Sequence, residues 1–345
     1  MTEMKIVHNI SCILTIAAKL LAVSLVMSLC ACHRRPLVDP ENSVRLRVKI
    51  DTDNIHNVTC DIYNPALPLQ DIDPDMMHVL LYDGENSRIV SELYVSGKES
   101  GEDGKTVFKS DLHVAPGKYW LLAYNFGTEA AVVSGLGSPA TAILHSTQVP
   151  ERVSKLYHSK ANDNEQVIYE PEHLMVASEP VYIPYHDEVY TVEAQASTVV
   201  ESWYVQIKVD GLQWVTGAQA FLSGMVSANY IAENRRVDNP QVAVWFPMIK
   251  STDKGEDVIC AVFNTFGRVE DSENALNITF NLKTVDGKTE LREFDISRLF
   301  GTENAVKHHW LLLDEVIEID EPDKKGGGFD PAVDDWEEEH RDIVI

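Results

Sequence analysis

Short strand-like segments separated by turns recur along the whole chain, and they limit its fold more than any other feature of the sequence. The clearest lies within residues 115–127, where a Pro-Gly turn precedes six consecutive apolar or aromatic side chains, Tyr119, Trp120, Leu121, Leu122, Ala123 and Tyr124. Because successive side chains of a strand point to opposite faces, both faces of this strand are apolar. Such a strand is typical of the middle of a sandwich, where it is covered on both sides.

In two further segments, apolar side chains recur at every second position, which is the period of a β-strand. Residues 44–50 (VRLRVKI) alternate apolar with basic side chains, which predicts a strand with one buried face and with Arg45, Arg47 and Lys49 on the outer face. Residues 198–209 predict a long strand with four apolar side chains on one face, Trp203, Val205, Ile207 and Val209.

No long amphipathic helix interrupts this pattern, so the sequence predicts an all-β fold. The chain has 345 residues, which is enough for two domains of ordinary size. We predict two tandem β-sandwiches, an N-terminal one over residues 44–196 and a C-terminal one over residues 197–320.

The start of the chain has the features of a lipoprotein leader. Lysines flank the apolar run of residues 20–29, which is too short to span a bilayer, and the sequence LCAC follows at residues 29–32. This order predicts a signal peptide over residues 1–31, cleavage between Ala31 and Cys32, and lipid on Cys32. The alternative is an ordinary secretory leader whose cysteine is incidental. Residues 32–43, which contain two prolines, are predicted to be a tether.

Composition excludes some partners. The formal net charge of −25 repels phosphate backbones and anionic lipid surfaces, so we expect no nucleic-acid partner. Apart from the leader and the anchor residue Cys32, the chain has only Cys60 and Cys260, so it is not a disulfide scaffold. Either these two cysteines form a bridge or they are inert buried thiols, and the second interpretation is favoured.

The C-terminal segment, residues 321–345, combines many carboxylates with apolar side chains. A Lys-Lys-Gly-Gly-Gly stretch at residues 324–328 predicts a flexible hinge. A disordered acidic tail is one interpretation. The apolar residues after the hinge favour instead a detachable strand that pairs with a sheet edge of its own domain or of a neighbour: Phe329, Val333, Trp336, Ile343, Val344 and Ile345.

Motifs for catalysis or cofactor binding are missing. The sequence has no Gly-x-Ser-x-Gly elbow, His-Glu-x-x-His, phosphate-binding P-loop or Cys-x-x-Cys pair. The alternating carboxylates of residues 71–75 do not make a calcium loop, because Met76 and Tyr82 stand where that loop needs Gly and Glu. Side chains of the adjacent His308 and His309 are predicted to point to opposite faces of a strand. We therefore expect no enzyme activity, no catalytic residue, no cofactor and no metal.

In the order of these parts, the chain resembles the fimbrillin superfamily of Bacteroidales, which comprises type V pilins and the related minor-fimbrium anchor and tip lipoproteins. The likeness rests on residues 29–32, 115–127, 310–319 and 333–345. It implies two transthyretin-like sandwiches, lipid-mediated export to the outer membrane with exposure at the cell surface, and polymerisation with other fimbrial subunits by strand exchange. In shaft pilins a protease cuts after an arginine near the first strand, which makes Arg45 and Arg47 the candidate processing sites.

Two classes of function follow from the sequence. The first is a fimbrial subunit or its membrane anchor, which supports adhesion to a host or bacterial surface ligand. The alternative is a surface lipoprotein that binds glycans, with Trp214, Trp245 and Trp336 as candidate stacking residues. Such tryptophans are more often part of a core.

Overall fold

A computed structural model describes residues 44–54, 59–67, 72, 74–100, 106–125, 130–157, 165–269 and 276–322. The predicted leader, Cys32, the tether and the detachable strand lie outside these residues. Predictions for them therefore stay predictions.

The described part of the chain is almost entirely β-structure, which confirms the predicted all-β class. Its strands are β1 (Val44–Asn54), β2 (Met76–Asp83), β3 (Ile89–Ser96), β4 (Lys98–Ser100), β5 (Thr106–Val114), β6 (Gly117–Asn125), β7 (Ala131–Ser134), β8 (Ile143–Ser146), β9 (Gln166–Tyr169), β10 (Met175–Ile183), β11 (Tyr190–Thr198), β12 (Glu201–Asp210), β13 (Val215–Met225), β14 (Ala228–Tyr230), β15 (Arg235–Val237), β16 (Val242–Asp253), β17 (Glu256–Thr265), β18 (Asn277–Thr284), β19 (Thr289–Asp295) and β20 (Trp310–Glu318). Among the described residues, helical structure is limited to α1 (Glu151–Ser154), α2 (Glu303–His308) and the 3₁₀ turns Pro139–Thr141, Leu212–Trp214 and Leu299–Gly301. No helix in the described ranges is both long and apolar enough to cross a membrane.

The first sheet has the strand order β3-β2-β6-β10-β11-β1-β5-β4. Strands from distant positions in this order share one buried cluster, which includes Met77 of β2, Phe108 of β5, Leu121 of β6 and Ala194 of β11. The sheet therefore curves around one core, which we call the first core. Strands β2 and β3 form an antiparallel hairpin at one edge of this sheet.

Strand β6 lies between β2 and β10 and is buried on both faces. Leu121 belongs to the first core, whereas Leu122 packs in a second cluster with Leu144 of β8. That cluster fills the space between the first sheet and a four-stranded sheet with the order β15-β14-β8-β7. The prediction of a central strand with two apolar faces is confirmed.

The second large sheet has the order β19-β18-β13-β16-β17-β12-β20, and β9 also pairs with β16. The four apolar side chains predicted on one face of β12 all lie in its main core. In the same core the rings of Phe246 and Phe263 stack at 4.3 Å.

Residues 59–67 cover the outer face of this second sheet. Tyr63 stacks on Tyr204 of β12 at a centroid distance of 4.9 Å, and Asn64 Nδ2 lies 3.6 Å from Cys260 Sγ. Cys60 and Cys260 belong to the same buried cluster and are free thiols. Burial raises the pKa of the Cys60 thiol to about 11, so this group stays protonated and unreactive at neutral pH.

Strands from before residue 196 also enter sheets built after it. Strand β9 pairs in parallel with β16, and β8 pairs with β14. The predicted domain boundary itself falls within β11, two residues before its end. The division of the chain at residue 196 stays a prediction.

Candidate functional site at the first strand

Strand β1 carries the candidate processing residues, and it is an internal strand of the first sheet. It pairs in parallel with β11 and antiparallel with β5. Both edges of its backbone are therefore occupied. This position differs from that of an edge strand, which presents free N–H and C=O groups to a partner.

The outer face of β1 is held by ion pairs to both neighbours. Arg47 donates from Nε and Nη2 to the two carboxylate oxygens of Asp111 on β5, at 2.7 and 2.9 Å. Lys49 Nζ donates to Glu193 Oε1 on β11 at 2.9 Å. The hydrogen bonds to Asp111 and its charge raise the pKa of the Arg47 guanidinium. The predicted outward placement of Arg47 and Lys49 is confirmed.

A third ion pair extends these charged contacts toward the edge of the sheet. Lys49 lies opposite Lys109 of β5, and like charges in this arrangement repel. Lys109 donates to Glu99 Oε2 of β4 at 2.8 Å, and this hydrogen bond lowers the pKa of the Glu99 carboxyl. Each lysine thus has its own carboxylate, and together these pairs link four adjacent strands, β11, β1, β5 and β4.

The alternating positions of β1 are in register with residues of the first core. Val48 lies opposite Val192 of β11, which packs against that core. Ile50 lies opposite Phe108 of β5 and Ala194 of β11, and both of these are buried. If β1 were withdrawn, two open strand edges would face each other beside the first core. The gap between them would admit one strand at the usual spacing of about 4.8 Å to each neighbour.

Arg45 and Arg47 are brought together on this strand, Arg45 in register with His113 and Arg47 with Asp111. The other site residues predicted from the sequence, namely Ala31, Cys32 and the apolar residues of the detachable strand, lie outside the described residues. Trp214 and Trp245, candidates for sugar stacking, pack against core clusters, and Trp245 Nε1 donates to Gln219 Oε1 at 2.8 Å. Both tryptophans therefore pack as part of the core, as expected of most such residues.

The segment between β9 and β10 joins the sheets through buried ionisable groups. Glu170 accepts a hydrogen bond from the backbone N–H of Asn264 at 3.0 Å, and burial raises the pKa of its carboxyl to about 7. Glu172 accepts from the backbone N–H groups of Ala130 and Ala131. His173 lies within 2.9 Å of Thr198 Oγ1 and 2.6 Å of Ser202 Oγ, and burial lowers the pKa of its ring to about 4.

Within the described ranges, no three His, Cys, Asp or Glu side chains are grouped so that they could hold a metal ion. The prediction that His308 and His309 lie in a strand is wrong, because His308 ends helix α2, His309 caps it in the left-handed conformation, and β20 begins only at Trp310. The two rings have separate partners. His308 Nδ1 lies 2.6 Å from Asp61 Oδ2, and His309 Nδ1 donates to the carbonyl oxygen of Ser202.

Known proteins similar to this chain include fimbrial and adhesive ones. The chain is 21% identical to a protein of Bacteroides ovatus named as a candidate fimbrium anchoring subunit, Fim4B, over 92% of this chain and 94% of that protein. A crystal structure of a candidate adhesin from the same species superposes with a TM-score of 0.58 at 19% identity, covering 85% of this chain and 98% of that chain. The fimbrial anchor protein Mfa2 from Porphyromonas gingivalis superposes with a TM-score of 0.42 at 11% identity, covering 75% and 85% of the two chains.

The similarity to the anchoring subunit confirms the predicted resemblance to fimbrial proteins of Bacteroidales. Residues 31–246, more than half of the chain, match a family described as a domain of unknown function, DUF5119. The chain therefore belongs to the DUF5119 family.

Proposed function

We propose that this protein anchors a fimbrium to the outer membrane through a lipid on Cys32 and so supports adhesion. The observation that carries the proposal is the alignment with the Bacteroides ovatus anchoring subunit, which extends over 92% of this chain and 94% of that protein. An alignment of this extent must include most of both large sheets, so the likeness concerns the folded architecture and not one shared module.

The position of β1 favours an anchor over a shaft subunit. A cut after Arg45 or Arg47 would separate the lipid-bearing end from the rest of the chain. A shaft subunit needs that release, whereas an anchor must avoid it. Both edges of β1 are paired and Arg47 is engaged by Asp111, so the backbone at these arginines is poorly accessible to a protease. An intact β1 keeps the folded body attached to its lipid.

The tether sets how far the body stands from the membrane. Residues 32–43 precede β1, and twelve residues reach at most about 40 Å when fully extended. The first sheet would therefore lie close to the outer membrane, where it can resist force without a long flexible linker.

The link to the next subunit would come from the C-terminal segment. With β1 in place, the gap in this chain's own first sheet is filled, so this chain acts as the donor. Residues 329–345 would enter a gap of the kind that β1 fills here, but in a neighbouring subunit. Main-chain hydrogen bonds would supply affinity, and the apolar side chains would replace those of a missing strand.

The test is the N-terminus of the cell-surface form, determined by mass spectrometry of intact protein. We expect diacylated or triacylated Cys32 in one continuous chain with the C-terminal half. An unacylated N-terminus at residue 46 or 48 would show release of the leader end and would contradict the anchor role.

A variant that lacks both candidate arginines tests whether a protease cuts the chain there. Replacement of both arginines, R45A together with R47A, should leave the mass of an anchor changed only by the substitutions. If the variant instead accumulates a longer form than the wild type, the wild type is processed at these residues and acts as a shaft subunit.

A further inference from the structure

A cavity of about 270 Å³ opens at the end of the second sheet where β12 begins. It lies between the start of β12, the end of β13, the Gly267-Arg268 segment and helix α2. Its apolar side is formed by Trp203, Leu222, Phe300 and Ala305. Its volume is just below the range of roughly 300–1,000 Å³ that holds drug-sized ligands, so it suits a group the size of one sugar ring.

One cation at this cavity has no acidic partner among the described residues. Arg268 lines it, and its guanidinium lies over the ring of Phe300 at 5.3 Å from the centroid. Within the described residues it forms no ion pair or hydrogen bond from its side chain. The neighbouring Arg236, by contrast, pairs with Glu201.

Polar groups that suit hydroxyls stand beside this cation. His309 stacks on Trp203 at 4.4 Å and donates from Nδ1 to the Ser202 carbonyl oxygen, so its Nε2 remains available as an acceptor. Glu201 supplies carboxylate oxygens at the same cavity. Arginine recognises carboxylates through paired hydrogen bonds, while carboxylate and imidazole acceptors bind hydroxyl groups.

The mouth of the cavity is apolar and continues into a larger depression. Val306 of α2 is 68% exposed, which makes it the most exposed large apolar side chain in the described part of the chain. A more open depression of about 630 Å³ shares Arg236 and Arg268 with the cavity and adds Arg235, Asn234 and the carboxylates Glu233 and Asp238, and Glu233 pairs with Arg235. A ligand held in the cavity could therefore extend outward along a strongly polar surface, as one terminal unit of a polymer does.

We propose that this cavity binds the carboxylate-bearing sugar, of the hexuronic acid type, at the end of an acidic glycan. Arg268 pairs with the carboxylate, the apolar side and Val306 contact the sugar ring, and Glu201 with His309 accept its hydroxyl hydrogens. The rest of the glycan lies in the larger depression. This binding is independent of the fimbrial role, because none of its residues belongs to β1 or to the C-terminal segment.

Calorimetric titration of the full-length protein, purified in detergent, tests the proposal. The probes are glucuronate and galacturonate, their neutral counterparts glucose and galactose, and acetate as a bare carboxylate. We expect saturable binding of at least one hexuronate, with its neutral counterpart and acetate each weaker by about tenfold or more, since a hydrogen bond to a charged group contributes at least that much. Absence of hexuronate binding at tens of millimolar, or equal binding of the neutral sugar or of acetate, overturns the proposal.

Three variants locate the binding. Arg268→Gln should weaken hexuronate binding by about tenfold or more. Val306→Glu, which places a carboxylate at the mouth from an exposed position, should also weaken it without disturbing the core. Arg292→Gln is the matched control, because Arg292 pairs with Glu290 on β19 and does not line the cavity. Wild-type affinity in both cavity variants, at an unchanged melting temperature, assigns binding elsewhere and overturns the proposal.

Discussion

Glu170 is a buried carboxyl group whose charge changes in the neutral pH range. In the unfolded chain it ionises near pH 4.5, whereas in the folded chain burial holds its proton to about pH 7. Between those values the folded state binds more protons, so rising pH reduces the free energy of unfolding. Glu170→Gln keeps an oxygen to accept from Asn264 and removes the charge. Relative to wild type, the variant should gain about 3 kcal/mol between about pH 4 and pH 8, measured by urea unfolding.

The comparison with wild type is needed because His173 titrates in the opposite sense. Burial lowers the pKa of its ring from 6.5 to about 4, so the unfolded state takes up a proton first as pH falls. Stability contributed by neutral His173 is lost from pH 6.5 downward, which offsets the effect of Glu170 in the wild-type curve. An equal difference between variant and wild type at both pH values would mean that Glu170 is not the titrating group.

At the N-terminus, Cys32 is expected to carry the membrane anchor. Cys32→Ser removes the thiol that accepts lipid and should move the protein from the outer-membrane fraction to the soluble fraction. Cys60→Ser is the control, because Cys60 is a buried thiol outside the leader. This substitution should leave the fractionation unchanged. The lipoprotein interpretation is wrong if the Cys32 variant still sediments with membranes and the wild type carries no acyl mass.

For single residues, the sequence predicts well on which face of a strand a side chain lies, but it predicts poorly which residue that side chain binds. The alternation of residues 44–50 predicts that Arg47 lies on the outer face of the strand, because the side-chain direction follows from neighbouring positions alone. Its partner Asp111 is 64 residues away, and nothing in the local pattern selects it. The cavity at the start of β12 is less predictable still, because it draws residues from segments that only the tertiary fold brings together.

Among the strands, β6 should contribute most to the stability of the first sheet, since it is covered on both faces. Leu121→Ala leaves a hole in the first core, where Leu121 is 1% exposed. We expect a loss of about 2–5 kcal/mol in the free energy of unfolding, from the lost transfer energy and the residual cavity. Denaturant melts of the purified protein measure it.

Ile89→Ala on β3 is the matched control, because Ile89 is 39% exposed on an edge strand. It should cost less than about 0.5 kcal/mol. A similarly small loss of unfolding free energy in both variants would mean that Leu121 of β6 is not packed in the first core.

The strands differ in how much of their environment can be predicted. Strand β6 is recognised from its own side chains, because six consecutive apolar residues require cover on two faces. Strand β9 has only four residues, and its parallel pairing with β16 joins positions more than seventy residues apart. A four-residue segment contains too little pattern to specify a partner at that separation.

For the whole molecule, the proposed donor segment can be removed without deleting any residue that the structure describes. Truncation after Lys325 deletes residues 326–345, which follow the last strand, β20. We expect loss of fimbrial multimers on a sizing column and loss of fibres on cells, with the melting temperature of the monomer unchanged. Substitution of the hinge glycines 326–328 by serine is the control and should preserve assembly. Unchanged assembly after truncation would leave the disordered-tail interpretation in place.

The parallel strand pairs have a mechanical consequence for an anchor. Tension between the lipid and the fimbrium would enter at the N-terminal end of β1 and leave its parallel neighbour β11 at the C-terminal end. These ends lie at opposite ends of the pair, so the strands are loaded in shear and their hydrogen bonds share the force. The chain then passes to β12, whose parallel neighbour β20 leads to the C-terminal segment, and the same geometry repeats. A tensile load along this path would meet two shear clamps in series, neither of which can be peeled open one bond at a time.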